Sequence, residues 1–219
     1  MIIALGKKTT MAAFLFSTMS YGSIAQSEFC EFMEENLLQD PIFVERDAAG
    51  HFKYWRSIQH AGEPSFEVAI DDGELTINKT GTEPWFYFSQ NVAAEKLAGK
   101  KLALTAEMKL NMDRPPTRSK HFVSGNGINI VARSQGRKPL LRSIMDHDIR
   151  SGKTDWYPVQ VVIKLPRNSD TVEVGFSYQA SGTFQVRNPS FQLVDESSKP
   201  CAVSPNAILG IPRTSSGLR

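Results

Sequence analysis

Hydrophobic and polar residues alternate over much of the chain between residues 65 and 195. In the segment 101–111, KLALTAEMKLN, every even-numbered residue from Leu102 to Leu110 is apolar, while most of the others are polar. The segment 171–178, TVEVGFSY, shows the same period of two. Because successive side chains of a β-strand point to opposite faces, this pattern predicts strands with one face in a core and the other toward solvent.

Eight segments of the chain carry strand-like patterns of this kind. They are residues 65–70, 73–79, 85–92, 100–112, 127–134, 156–165, 171–179 and 183–195. Turn-forming sequences such as DDG, TGTEP, SGNG and PRNSD separate them, and no long helical period lies between them. The sequence therefore predicts an all-β fold, an antiparallel β-sandwich over residues 40–195, and argues against a parallel α/β fold.

The beginning of the chain differs from this middle part. Lys7 and Lys8, the apolar run after them, and the small residues Ser23 and Ala25 predict an export signal over residues 1–25. The apolar run is shorter than the roughly 20 residues that a membrane span needs, so we expect a secreted or periplasmic protein with no span after cleavage. An uncleaved anchor is the alternative.

Two further segments flank the predicted sandwich. In residues 26–39, apolar side chains recur at spacings of three and four, which indicates a short helix or turn. These side chains are Phe29, Phe32, Met33 and Leu37. Residues 196–219 are rich in Ser and Pro and lack alternation, which predicts a flexible C-terminal tail.

The charge balance narrows the range of partners. The chain has 25 basic and 23 acidic residues, and loss of residues 1–25 would remove two lysines and no acidic residue, which leaves the two signs equal. No overall positive field favours nucleic acid, so we expect none as a partner.

The predicted exported portion contains two cysteines, Cys30 and Cys201. In an exported protein such a pair is most simply interpreted as one disulfide that joins the two ends of the domain. Two free thiols are the alternative. The histidines are scattered and no Cys-x-x-Cys pair is present, so a zinc-type metal site is not predicted.

Several motifs occur in an order that is found in one group of sugar-binding domains. They are NLLQDPIFVE (36–45), WRSIQHAGEPSFEVAIDDGELTI (55–77), EPWFYFSQNVAAEKLAGKKLALTAEMKL (83–110) and TDWYPVQVVIKLPRNSDTVEVGFSYQASGTFQVRNPSFQLVD (154–195). In these features the chain resembles jelly-roll carbohydrate-binding modules of the xylan- and glucan-binding type, within the galactose-binding-like fold. The resemblance implies a jelly-roll sandwich with a ligand site on its concave face, although this architecture also serves as linking, receptor and accessory domains.

Four consecutive aromatic residues, Trp85 to Phe88, lie in one predicted strand, where Trp85 and Tyr87 share a face. Rings stack on the apolar faces of sugars, while amides and charged groups bind the hydroxyls, so the resemblance implies a set of ligand-binding residues. They are Trp85, Tyr87, Gln90, Arg133, Trp156 and Tyr178, with Asn129, Tyr157, Gln160 and Gln179 as further candidates. Packing in the core is the alternative for each ring, and Trp55 is interpreted as a core residue.

Members of such families often hold a structural calcium ion. Here Val44 follows the opening Phe43, and Asn188 stands where an acidic residue is usual. Glu45, Asn188 and Asp195 are the residues that could still supply oxygen ligands for calcium. No other cofactor is expected.

No catalytic motif is recognisable in the sequence. The segment MDHDIR offers Asp146, His147 and Asp148, but neighbouring residues of a strand point apart, so a surface loop is the simpler interpretation. We expect a non-catalytic domain that binds a polysaccharide or a similar polyhydroxylated ligand. Two alternatives stay open: a structural or protein-interaction domain of the cell envelope, and a polysaccharide-active enzyme on a jelly roll.

Overall fold

The structure of the chain, a computed structural model, describes residues 35–112, 126–134, 138–144, 152–179, 181–195 and 208–209. Eleven β-strands lie in these residues, and every pairing between them is antiparallel. The strands are β1 (Arg56–Gln59), β2 (Phe66–Asp71), β3 (Glu74–Lys79), β4 (Phe86–Ala93), β5 (Lys101–Asn111), β6 (Gly127–Ser134), β7 (Lys138–Ile144), β8 (Tyr157–Lys164), β9 (Thr171–Tyr178), β10 (Thr183–Leu193) and β11 (Ile208–Leu209).

The strands form two sheets. One sheet has six strands in the order β1-β4-β9-β6-β7-β11, and the other has five in the order β2-β3-β10-β5-β8. The inward side chains of both sheets belong to one large apolar cluster. The predicted all-β antiparallel sandwich is therefore confirmed.

The alternation in β5 places one face of that strand in the core. Leu102, Leu104, Met108 and Leu110 are each at most 1% exposed, whereas the intervening Lys109 is partly exposed. Full burial of a side chain of this size contributes roughly 1.5–3 kcal/mol, so the apolar face of β5 fixes which way the strand faces.

Trp55 lies at the centre of an aromatic group in the core, as the sequence predicted. Its ring stacks on Phe88 at a centroid distance of 5.2 Å and contacts Phe43 at 5.0 Å. The indole Nε1 donates a hydrogen bond to the backbone oxygen of Asp40 at 2.9 Å. The opening segment of the domain is thereby tied to β4.

The hairpin between β2 and β3 shows why the DDG sequence ends a strand. Asp71 pairs with Glu74 across a two-residue turn formed by Asp72 and Gly73. Both turn residues have positive φ, 46° and 76°, which matches the twist of the flanking strands and favours Asp and Gly.

The structure adds three strands to the eight that were predicted. They are β1, β7 and β11. The strand β11 lies in the segment that was predicted to be a tail, and it pairs with β7. At the other end, residues 35–39 are not helical, and the rest of the predicted N-terminal helix lies outside the described residues. The predicted export signal (residues 1–25) also lies outside them.

Candidate ligand-binding groove

The outer face of the six-stranded sheet carries a groove with a volume of about 410 Å³. The strands β1, β4, β9 and β6 lie side by side there, and each directs every second side chain outward. The lining includes Arg56, Ile58, Tyr87, Asn129, Arg133 and Glu173.

The register of the strands explains how residues from distant parts of the sequence meet. Arg56 lies opposite Ser89, Ser89 lies opposite Gly175, and Gly175 lies opposite Asn129. This row of four residues crosses four strands. Because β9 is inserted between β4 and β6, the polar residues of all three strands share one surface.

The middle of the groove has a floor of small residues. Ser89 on β4 is 0% exposed and lies opposite Gly175 on β9, and Ser177, two residues further along β9, is 1% exposed. A Cβ atom added to Gly175 would lie 2.6 Å from the Cα of Ser89 and would overlap the carbonyl oxygen of Phe88. Glycine is therefore required here by the close approach of β4. Because it has no side chain, the groove is deeper at this point.

A buried carboxylate organises the charged side of the groove. Glu173 is 8% exposed, and its Oε2 accepts a hydrogen bond from Arg133 Nη2 at 2.9 Å. Its Oε1 accepts one from Ser89 Oγ at 2.9 Å and lies 3.9 Å from Arg56 Nη2. Arg56 Nη2 also donates to Asn91 Oδ1 at 3.2 Å.

The pKa of Glu173 reflects this environment. Burial raises the pKa, but hydrogen bonds from Arg133 and Ser89 and the positive charges of Arg133 and Arg56 outweigh burial, so the pKa lies below its usual value. The carboxylate is consequently ionised at neutral pH, with both oxygens engaged.

An aromatic surface borders the other side of the groove. Tyr87 stacks on Trp85 with ring centroids 4.9 Å apart and an interplanar angle of 29°. His60 meets the edge of Trp85 at 5.9 Å and lies 3.1 Å from Glu83, measured from Nδ1 to Oε2. Trp85 and Tyr87 are both half-buried, so part of each ring is open to solvent.

The amide of Asn129 lies between these two sides. Asn129 is 3% exposed and lines the groove from β6. Within the described residues its side chain makes no hydrogen bond. A buried polar side chain that faces a groove is suited to bind a ligand or an ordered water.

The predicted ligand-binding residues are divided between three places. Tyr87 and Arg133 line the groove, and Trp85 adjoins it through Tyr87. Gln90 and Tyr178 lie inside the sandwich, 1% and 0% exposed, and do not reach the groove. Gln90 instead holds the backbone of Gln39, through Oε1 at 2.9 Å and Nε2 at 3.0 Å.

Trp156 lies against the other sheet. The guanidinium of Arg187, on β10, is 4.3 Å from the Trp156 ring centroid, and Lys109 Nζ, on β5, is 5.8 Å away. Arg187 is itself held by Glu107, through Nε at 2.7 Å. The structure therefore does not bring Trp156 together with Tyr87 and Arg133.

Arg56 and Glu173 are groove residues that sequence reasoning missed. The alternation around Glu173 gave a usable signal, because its neighbours Val172 and Val174 are apolar and a charged residue between them points away from the core. Arg56 belongs to a short four-residue strand that carries no clear alternation.

The residues predicted to bind calcium lie in three different surroundings, and their role as calcium ligands stays a prediction. Glu45 Oε2 is 2.9 Å from Lys53 Nζ, and Asn188 donates a hydrogen bond through Nδ2 to Glu107 Oε2 at 3.0 Å. Asp195 is exposed at the end of the described domain. The described residues contain no cluster of three or more His, Cys, Asp or Glu that could hold a metal ion.

Other predicted residues lie outside the described part of the chain. Cys30 and Cys201 are among them, as are Asp146, His147 and Asp148. Among the residues that are described, none forms a helix long and apolar enough to cross a membrane.

Comparison with known proteins gives matches among solved structures. No protein-family model and no curated protein matches this chain. The enzymatically active domain of tailspike protein 4 from bacteriophage CBA120 is 12% identical with a TM-score of 0.52, and the match covers 73% of this chain and 21% of that chain.

Two carbohydrate-binding modules also match. A CBM4 structure is 18% identical with a TM-score of 0.49, covering 71% of this chain and 98% of that one. The CBM22-1 xylan-binding domain of Paenibacillus barcinonensis Xyn10C is 12% identical with a TM-score of 0.44, covering 74% and 97%. At these identities the likeness concerns the fold alone. The β-sandwich that the sequence predicted is confirmed by the two antiparallel sheets of the structure itself.

Proposed function

We propose that this protein binds carbohydrate, or a similar polyhydroxylated ligand, in the groove on the outer face of the six-stranded sheet. The observation that carries the proposal is the pairing of two kinds of surface in one groove. The stacked rings of Trp85 and Tyr87 border it on one side, and the Arg56–Glu173–Arg133 cluster lines the other.

These two surfaces match the two kinds of surface on a sugar ring. The axial C–H groups of a pyranose are apolar and slightly positive, so they pack on the electron-rich face of an aromatic ring. The hydroxyls at the rim need hydrogen-bond donors and acceptors, which Arg56, Asn129 and Arg133 supply at the groove wall. The low floor at Gly175 lets the ligand approach the sheet.

We propose binding without catalysis. Glycoside hydrolysis generally requires two carboxyl groups, one of which is protonated to act as an acid. Among the described residues lining the groove, Glu173 is the one carboxylate, and its lowered pKa keeps it ionised. Both of its oxygens already accept hydrogen bonds from Ser89 and Arg133, which suits a structural role.

We also propose that the protein acts outside the cytoplasm, in the secreted or periplasmic space, with a disulfide between Cys30 and Cys201. The export signal inferred for residues 1–25 supports this location, and a polymeric glycan is a ligand of that compartment. Mass spectrometry of the purified protein, with and without a reductant, tests both the cleavage after Ala25 and the disulfide.

Tryptophan fluorescence offers a direct test of the groove. The chain has three tryptophans, of which Trp55 is buried, Trp85 borders the groove and Trp156 lies on the other sheet. Soluble xylan, mixed-linkage β-glucan and polygalacturonate are titrated into the wild type, Trp85→Phe and Trp156→Phe. We expect a change in emission that Trp85→Phe abolishes and that the matched control Trp156→Phe retains.

Replacing Tyr87 by Ala removes the second ring of the aromatic surface beside Trp85. We expect the affinity for the bound glycan to fall about tenfold. Absence of binding across the glycans, in fluorescence and in affinity electrophoresis, contradicts the proposal. A response that depends on Trp156 rather than Trp85 places the ligand elsewhere and contradicts it as well.

A further inference from the structure

The groove contains more positive than negative charge. Arg56 and Arg133 contribute two guanidinium groups to its lining, and Glu173 contributes the one carboxylate found there among the described residues. Glu173 is paired most closely with Arg133, at 2.9 Å, while its distance to Arg56 is 3.9 Å. The charge of Arg56 is therefore the less compensated of the two.

The hydrogen-bonding capacity that remains in the groove is mostly that of donors. Glu173 uses Oε1 to accept from Ser89 and Oε2 to accept from Arg133. Arg56 and Arg133 each use only Nη2, so Nε and Nη1 of both have no acceptor in the described part of the chain. A ligand that brings acceptors, and above all a negatively charged group, meets this excess of donors.

The nearby carboxylates do not reverse this balance. Asp170 Oδ1 accepts a hydrogen bond from Thr171 Oγ1 at 2.9 Å. Glu83, beyond Trp85, accepts from the backbone N–H of Ala61 at 2.9 Å and lies beside His60. Neither carboxylate is part of the groove lining.

Arg56 is placed so that a ligand can reach it. Its side chain is 52% exposed, and it stands on the edge strand β1, in the same row as Ser89 and Gly175 of the floor. Ile58, two residues further along β1, is 37% exposed and lies opposite Tyr87. The Arg56–Ser89 pair is two pairs along from the Ile58–Tyr87 pair and is the next pair on the same face of the sheet, so a sugar ring stacked against Tyr87 lies beside Arg56.

We infer that the groove selects acidic glycans, with the carboxylate of a uronic acid residue bound by Arg56 and supported by Arg133. A carboxylate is favoured because its two oxygens match the planar fork of a guanidinium. This inference rests on the proposed function, since it names the class of sugar that the same groove binds.

The test compares pairs of polymers that differ only in charge. Polygalacturonate, alginate and a glucuronan are each measured beside their carboxyl-reduced, neutral forms, using affinity electrophoresis and calorimetry on the full chain. We expect at least one acidic polymer to bind about fivefold more tightly than its neutral counterpart. That preference weakens as salt is raised, because exposed charges are screened.

Two variants show whether the preference comes from Arg56. Arg56→Gln is expected to weaken binding of the acidic form about fivefold more than binding of the neutral form, so that the two forms bind equally. Lys164→Gln, an exposed position at the end of β8 in the other sheet, makes the same change in net charge and is expected to have no effect.

Equal binding of acidic and neutral forms overturns the inference and leaves the proposed carbohydrate function standing. The same holds if xylan or β-glucan binds in the groove and no uronate polymer does. If Arg56→Gln and Lys164→Gln lose the preference for acidic glycans to the same extent, the preference comes from net charge. That result also overturns the inference. Absence of binding to every glycan ends both proposals.

Discussion

Arg133 on β6 and Glu173 on β9 form a 2.9 Å ion pair on the outer face of a sheet, at a site where the carboxylate is almost completely covered. The strands that carry them are neighbours in space and 40 residues apart in sequence. Removing one partner of such a pair leaves the other charge without compensation. The resulting loss of folding free energy is larger than the net contribution of the intact pair.

The Glu173 pair makes the stability of the fold depend on pH in acid. The folded pKa of Glu173 lies below its ordinary value of 4.5, so its contribution to stability is complete above about pH 4.5 and is lost as the pH falls through the folded pKa. Glu173→Gln cannot ionise and lacks this contribution. We expect it to lower the free energy of unfolding by about 1 kcal/mol at pH 7.

Urea unfolding between pH 7 and pH 3 measures this difference. The gap between the wild type and Glu173→Gln should be constant near neutrality and should narrow below pH 4.5. Glu67→Gln, at an exposed position on β2, is the control and should show no such gap. A gap that stays the same down to pH 3 would mean that ionisation of Glu173 does not stabilise the fold.

Gly175 is predicted to be the most sensitive glycine of the groove. In Gly175→Ala the new methyl group overlaps the carbonyl oxygen of Phe88 and lies 2.6 Å from Ser89 Cα, so β4 and β9 must separate. We expect a loss of about 2–3 kcal/mol in the free energy of unfolding. Thermal and urea unfolding measure it.

Gly50→Ala provides the matched control for this substitution. A Cβ at Gly50 meets nothing within 4 Å, and its cost, about 1 kcal/mol, comes from the positive φ of 84° alone. If Gly175→Ala is no more destabilising than Gly50→Ala, the close contact between β4 and β9 is not as the structure shows it.

Much of the fold follows from local patterns in the sequence. The predicted segment 127–134 coincides with β6, and the predicted segment 171–179 differs from β9 by one residue. These strands were predictable because each has one face in the core, where apolar residues recur at every second position. β7 was missed because its sequence, KPLLRSI, contains Pro139 and no regular alternation.

The candidate site was less predictable, because it depends on which strands are neighbours. The order β1-β4-β9-β6 is set by long-range pairing, and no local pattern reports that Arg56, Glu173 and Arg133 meet. The position of Tyr178 could have been inferred, since it shares its face with Val174 and Phe176 and therefore points into the core.

Asp40 is predicted to hold the opening segment in shape. Its backbone has a positive φ of 50°, and its two carboxylate oxygens accept the N–H groups of Val44 at 3.0 Å and Glu45 at 2.8 Å. Asp40→Ala loses both acceptors and strains the backbone, so we expect a loss of about 2–3 kcal/mol.

Asp40→Asn separates these two causes. Asn tolerates positive φ and keeps one side-chain oxygen, so the loss should be about 1 kcal/mol. Equal losses for Ala and Asn in urea unfolding would show that the second carboxylate oxygen, rather than the backbone conformation, carries the effect.

Trp55 joins the same opening segment to the core, and its indole N–H is the group that makes the connection. In Trp55→Phe the ring packing on Phe88 is largely kept, but a cavity forms and the backbone oxygen of Asp40 loses its 2.9 Å hydrogen bond. Because both losses occur in a buried place, we expect the free energy of unfolding to fall by about 2–4 kcal/mol.

Trp156→Phe is the control, because that ring lies on an outer face against Arg187, and it should lower the free energy of unfolding far less. If the two variants unfold at the same urea concentration, Trp55 is not the link between the opening segment and β4, and the aromatic core must be held in another way.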